Sequence, residues 1–113
     1  MEFEYKFLTK NNFTIITFKG RMSKEARDSL LQCQQELLAL DSKVVIFLFK
    51  DVPTVDQVVN RELAILQQEV RKSKQLFLVG INKNLKLLLL EKGILRQNEI
   101  RESLEDTLKS LEK

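Results

Sequence analysis

The residues able to do chemistry are gathered in one stretch, Lys50 to Val59, which reads KDVPTVDQVV. It offers two carboxylates, Asp51 and Asp56, a hydroxyl, Thr54, and an amide, Gln57. Paired carboxylates can hold a metal beside a phosphoryl acceptor, and a loop hydroxyl can itself accept a phosphoryl group. The stretch follows the most apolar run of the chain, VVIFLF from Val44 to Phe49, and leads into an amphipathic segment that continues to about Lys72. A buried strand followed by such a loop puts the loop at the strand's carboxyl end, the edge of an open α/β sheet where sites sit.

Composition removes most other chemistry. At 113 residues the chain is long enough for one domain, residues 1–113, and too short for two. It has no His, no Trp, one Cys and three Gly, so neither a Ser-His-Asp nor a Cys-His nucleophile can be assembled, nor a His-bearing metal site. A Gly-rich phosphate loop is missing too, since Gly20, Gly80 and Gly93 lie far apart. Asp51 and Asp56 sit on one short loop, and the hairpin that opens the chain does not suit a metal-bound phosphoacceptor fold. The expectation is a non-enzyme with no cofactor and no metal. A single Cys forms no internal disulfide, and no export signal opens the chain, which points to a cytoplasmic protein. Its apolar runs fall far short of the ~20 residues that span a bilayer, so no direct membrane insertion is expected. The net charge of +3 is spread among acids, without the basic stripe and stacking aromatics of a nucleic-acid binder.

The elements that must position the loop are legible from periodicity. Glu2 to Leu8 alternates, with Phe3, Tyr5 and Phe7 on one face, as in a half-buried strand. Lys10, Asn11 and Asn12 read as a turn, and Phe13 to Phe18 as the second strand of a hairpin ended by Gly20. Ser23 stands as N-cap before a helix whose Ala26, Leu30, Cys33, Leu37 and Leu40 form one stripe. Cys33 lies in that stripe, so it is read as a small core hydrophobe. Val44 to Phe49 has no alternation, as suits a central strand covered on both faces.

From about Asp56 to Lys72 a second helix aligns Val59, Leu63, Leu66 and Val70 toward the core. Leu76 to Val79 is a further strand, stopped by Gly80. Asn82 or Asn84 caps a third helix holding Leu85, Leu88 and Leu89 and ending at Gly93. Glu99 to Arg101 suits a short edge strand, and Ser103 to Asp106 a capping box for a last helix with Leu104, Leu108 and Leu111. The order predicts an α/β fold: a mixed, mostly parallel sheet of four to five strands opened by a β-hairpin, with about four helices.

Nearly the whole chain resembles a STAS domain, the fold of bacterial anti-sigma factor antagonists. The resemblance rests on the hairpin closed by Gly20, the long first helix and the buried strand leading to Asp56. LFLVGIN from Leu76 to Asn82, Leu90 to Leu95 around Gly93, and the ending from Ile100 to Leu108 also carry it. It implies that chemistry sits at the start of the second helix, where a typical member reads Asp-Ser-Ser-Gly and a kinase phosphorylates the first Ser. Here the motif reads Asp56-Gln57-Val58-Val59. The amide of Gln57 cannot receive a phosphoryl group, so the resemblance implies a variant without the usual switch, held in the unphosphorylated form that binds partners. Thr54 is an alternative acceptor, although an ordinary loop residue after Pro53 is the favoured reading of it.

At about 100° per residue, Val58 and Ile65 fall together roughly 120° from the core stripe of the second helix, with Arg61 and Glu62 to either side. Two aliphatics framed by charges form a docking patch, or else they lie beneath a neighbouring helix or are isolated surface apolar residues. Asp56, Gln57, Val58, Arg61, Glu62 and Ile65 are therefore the candidate partner-binding residues. The resemblance implies a protein partner: an anti-sigma factor or serine kinase, another STAS protein, or, alternatively, the ATPase of a lipid-type ABC transporter that this chain would serve as an accessory subunit. Sheet edges at the hairpin and at Glu99 to Arg101 are the places where a homodimer would pair.

Overall fold

The computed structural model describes residues 3–10 and 12–111. Glu2 and Asn11, which the sequence places in the first strand and its turn, lie outside the described residues. The hairpin is β1 (Glu4–Lys10) and β2 (Phe13–Lys19), antiparallel with Lys10 opposite Phe13. Lys10 is thus the last strand residue rather than part of the turn. Next come α1 (Ala26–Leu38), β3 (Val44–Asp51), a 3-10 turn (Gln57–Val59), α2 (Asn60–Arg71), β4 (Gln75–Val79) and α3 (Lys83–Glu91). A second 3-10 turn (Gln97–Glu99), β5 (Ile100–Arg101) and α4 (Leu104–Leu111) complete the order.

The five strands lie side by side in chain order, β1-β2-β3-β4-β5, and every pair after the hairpin is parallel. Register explains the unbroken apolar run of β3. Ile16, Phe47 and Leu78 form one row across β2, β3 and β4, and Ile15, Ile46 and Phe77 form the neighbouring row. Successive strand residues face opposite sides. The first row packs with Ala26, Leu30, Cys33 and Leu37 of α1, Leu63, Leu66 and Val70 of α2, and Leu85 and Leu89 of α3. The second row packs under Leu104, Leu108 and Leu111 of α4. Both sides of β3 are covered, so no polar residue can alternate into it. At ~1.5–3 kcal/mol for each large apolar side chain fully buried, these rows dominate the stability of the fold.

Three local expectations are revised. Ser23 does not cap α1 with its side chain; its hydroxyl donates to the Glu25 carboxylate at 2.6 Å, and its carbonyl accepts from Ala26 at 2.9 Å. The second helix opens as a 3-10 turn before α2 begins, and Asp56 precedes it in extended conformation without capping it. The third helix keeps only Leu85 and Leu89 buried, while Leu88 is 42% exposed. Asn82, rather than Asn84, caps α3 by accepting from Leu85 at 2.8 Å, and Ser103 accepts from Asp106 at 3.1 Å at the head of α4. Among the described residues no helix is long and apolar enough to cross a membrane.

Candidate functional site

The loop after β3 is clamped on three sides. Its backbone is zipped to the segment after β2: Gly20 donates to the Asp51 carbonyl at 2.9 Å, Met22 to Thr54 at 3.0 Å, and Asp56 back to Met22 at 2.8 Å. Met22 and Val55 thereby form a parallel bridge, and both side chains are buried. Arg21 then grips the Asp56 carboxylate through Nε to Oδ1 and Nη2 to Oδ2, each at 3.0 Å. A two-point guanidinium fork fixes orientation as well as charge, and the Asp56 carboxylate makes no side-chain bond to the turn behind it. From the other side, Asn82 donates to the Pro53 carbonyl at 3.2 Å. Gly80 lets β4 pass close by: its φ is +78°, and a Cβ there would meet the Lys50 Cβ at 3.2 Å.

On this frame the buried residues Val52 and Val55 alternate with exposed Pro53 and Thr54, and Gln57 opens the 3-10 turn exposed to solvent. Val58 and Ile65 are 50% and 38% exposed, so neither lies beneath a neighbouring helix. Arg61 is exposed beside them. Glu62 turns instead toward α1, where Arg27 bonds Oε1 at 3.2 Å and also donates to the Val58 carbonyl at 3.1 Å. The other oxygen of Glu62 is buried without a hydrogen-bond partner. Arg27, Leu31, Gln34, Glu62 and Ile65 line a hollow of about 260 Å³ between α1 and α2, and Leu31 is 53% exposed.

Of the six residues expected on the second helix, Glu62 and Ile65 line this hollow with α1, Gln57, Val58 and Arg61 are exposed, and Asp56 is held by Arg21. Arg21, Arg27 and Leu31 are missed by sequence reasoning. Arg21 and Asp56 are separated by 35 positions, and no periodicity in either segment records a pairing made by two loops at one sheet edge. The nearest signal is the position of Arg21 directly after Gly20, where the chain leaves the hairpin.

Gln57 lacks a hydroxyl, and the one thiol, Cys33, is buried in α1. Burial, with Glu36 nearby, pushes that thiol up to about 12 from 9.0. Native protein should therefore leave Cys33 unmodified by a thiol reagent at pH 8 and label fully once unfolded. The sign for stability follows: the folded value lies above the unfolded one, so this contribution is complete below about pH 9 and is lost as pH rises from there toward about 12. Labelling of the native protein at the rate of the unfolded chain would show that α1 is not packed as described.

Nearly the whole chain superposes on solved structures of one architecture. An anti-sigma factor antagonist from Mycobacterium paratuberculosis superposes with a TM-score of 0.82 at 12% identity, covering 99% of this chain and 96% of that one. The anti-sigma factor antagonist SpoIIAA in its unphosphorylated form gives 0.77 at 9% identity, covering 96% of both chains. The SulP transporter STAS domain from Vibrio cholerae gives 0.77 at 15% identity, covering 93% of this chain and 88% of that one. No protein-family model and no curated protein matches the sequence.

Proposed function

From the premise that this chain has the STAS fold, we propose that it is a non-catalytic docking module whose partner surface is the α1–α2 face beside Gln57. The observation that carries this reading is the exposure of Leu31 and Ile65 at one hollow between α1 and α2, with Val58 exposed on the turn that opens α2. Exposed aliphatics ringed by Arg27, Arg61 and Glu62 are the composition of a small protein interface, with an apolar centre and a charged rim. The similarity to anti-sigma factor antagonists supports a partner of their kind: an anti-sigma factor or serine kinase, or another STAS protein. Gln57 holds the acceptor position neutral, so the ~1.5–2 negative charges of a phosphate never arrive there. The surface stays in its binding form.

The test is co-purification of the tagged protein from its own cells, with each recovered partner identified and then bound again in pure form. Ile65→Glu and Val58→Glu should abolish binding while shifting the melting temperature by only a few degrees, because both side chains are exposed. Loss of binding together with a collapse of stability would assign both residues to the core and withdraw the surface. A second reading is an accessory subunit on a transporter ATPase; the likeness to a SulP transporter STAS domain supports a transporter setting for this fold without pointing to an ATPase. Recovery of such an ATPase in place of a kinase or anti-sigma factor would select it.

A further expectation concerns the lost acceptor. With a recovered serine kinase and ATP, Gln57→Ser should take up one phosphate per chain and the parent none. Equal modification of the parent would identify Thr54 or another hydroxyl as the acceptor and remove Gln57 as the reason for a locked surface.

A further inference from the structure

On the opposite side of the same loop lies a second surface that the α1–α2 face does not include. A hollow of about 580 Å³ separates residues 53–55 from the first turns of α3, with Val55, Leu85 and Leu88 supplying its apolar wall and Lys83 its rim. Leu88 and the adjacent Leu87 remain 42% and 54% exposed, on a helix whose core duty is met by Leu85 and Leu89. A smaller hollow of about 320 Å³ shares Pro53 and Asn82 with the first and is lined by Lys19, Lys50 and Asp51. The two together carry three lysines against one carboxylate. Among the described residues none of these lysines is ion-paired.

The geometry points to a docking site here for a peptide segment of a partner protein that sets a large apolar side chain between carboxylates. The apolar side chain enters between Pro53 and Leu88, and its flanking acids meet Lys83 on one side and Lys50 and Lys19 on the other. Such charge complementarity sets orientation and partner choice. The occupant is a protein segment rather than a bilayer because Leu88 lines a concavity; Leu87 stands outside it, but one proud leucine is less than the apolar face a membrane-surface helix presents. The Asn82 side chain binds both the Pro53 carbonyl and the Leu85 amide, so it ties the two walls and pre-forms the cleft. Pre-formed walls lower the ordering cost of binding.

The test pans a phage-displayed library of random dodecapeptides against the full-length protein, then measures the enriched peptides by fluorescence anisotropy. Enriched peptides should place Leu, Phe or Met beside Asp or Glu. Their affinity should fall roughly tenfold or more with Leu88→Glu and with Lys50→Glu or Lys83→Glu, weaken with added salt, and survive Ile65→Glu. Leu88→Asn, which adds no charge, should also weaken binding, and melting curves of each variant check that the fold is kept. An empty selection, peptides without acids, or binding indifferent to Leu88 and the lysines would overturn the site. Loss on Ile65→Glu alone would also overturn it, by moving the peptides to the α1–α2 face. Sedimentation of the parent, but not of Leu88→Glu, with phosphatidylserine vesicles would overturn it in favour of a lipid surface.

Discussion

Phe49→Ala should cost about 3–5 kcal/mol of stability, which is the loss expected when a buried aromatic is truncated and the void cannot fully collapse. Phe49 is fully buried at the end of β3, edge-on to Phe18 at 5.3 Å and stacked on Phe47 at 6.4 Å, while Phe18 also meets Phe47 edge-on at 5.2 Å. Three rings locked in this way leave little freedom to fill a cavity. For a domain whose total stability is of order 5–15 kcal/mol, the change should lower the melting temperature by about 10–20 °C. The urea midpoint should fall with an unchanged slope. There is also a local readout, because the Phe49 carbonyl receives the Val52 amide at 3.0 Å at the start of the site loop. Amide exchange at Val52 should accelerate before the protein unfolds. Ile65→Ala on the exposed face should cost about 0.5 kcal/mol or less. A Phe49→Ala penalty as small as that would mean that the aromatic layer beneath the loop is not packed.

Arg71→Ala should be the second most damaging change, for an electrostatic reason. The guanidinium bonds Glu99 through Nε at 2.8 and 3.0 Å and through Nη2 at 2.6 Å, and it also reaches Gln67 at 3.2 Å. Both charged side chains are only 13% exposed, so this pair is shielded as the surface pairs are not. Deleting one partner strands the other charge in poor solvent, at a cost of about 2–4 kcal/mol, somewhat below the range for a fully buried pair. Replacing both partners, Arg71→Met with Glu99→Leu, should recover most of that loss, because no lone charge is left behind. A double replacement as damaging as Arg71→Ala would show that packing, and not the stranded carboxylate, sets the penalty. The pair matters for the fold because it ties the end of α2 to the turn before β5, a strand only two residues long. By contrast Lys109 and Glu105, both more than two-thirds exposed, add little.

The division of labour at the site follows from the same physics. The loop is held by backbone pairing to Met22 and by the Arg21 fork, so Asp56 is spent on structure, while Gln57, Val58 and Ile65 stay free at the surface. A docking module benefits from this arrangement, since an ordered loop gives up little entropy when a partner arrives.

Periodicity alone determined the element order, the hairpin, the parallel sheet and the core stripes of α1 and α2. The reason is that each of those features is a repeat of about two or 3.6 residues imposed by a single buried face. The unbroken run at Val44 to Phe49 disclosed a central strand for the same reason, with both faces buried at once. The absence of a hydroxyl at Gln57 was equally legible, because it is a property of one residue. The tertiary structure alone decided which side chains reach partners on other elements. Arg21 with Asp56, Arg27 with Glu62, Arg71 with Glu99, and Asn82 with Pro53 are all separated by 28 to 35 positions. Such pairs leave no period in the chain, since they depend on how separate helices and loops are packed against one another. Leu88 shows the same limit from the apolar side. Its spacing is that of a core residue, but α3 sits at the margin of the sheet, where only Leu85 and Leu89 find partners to bury them.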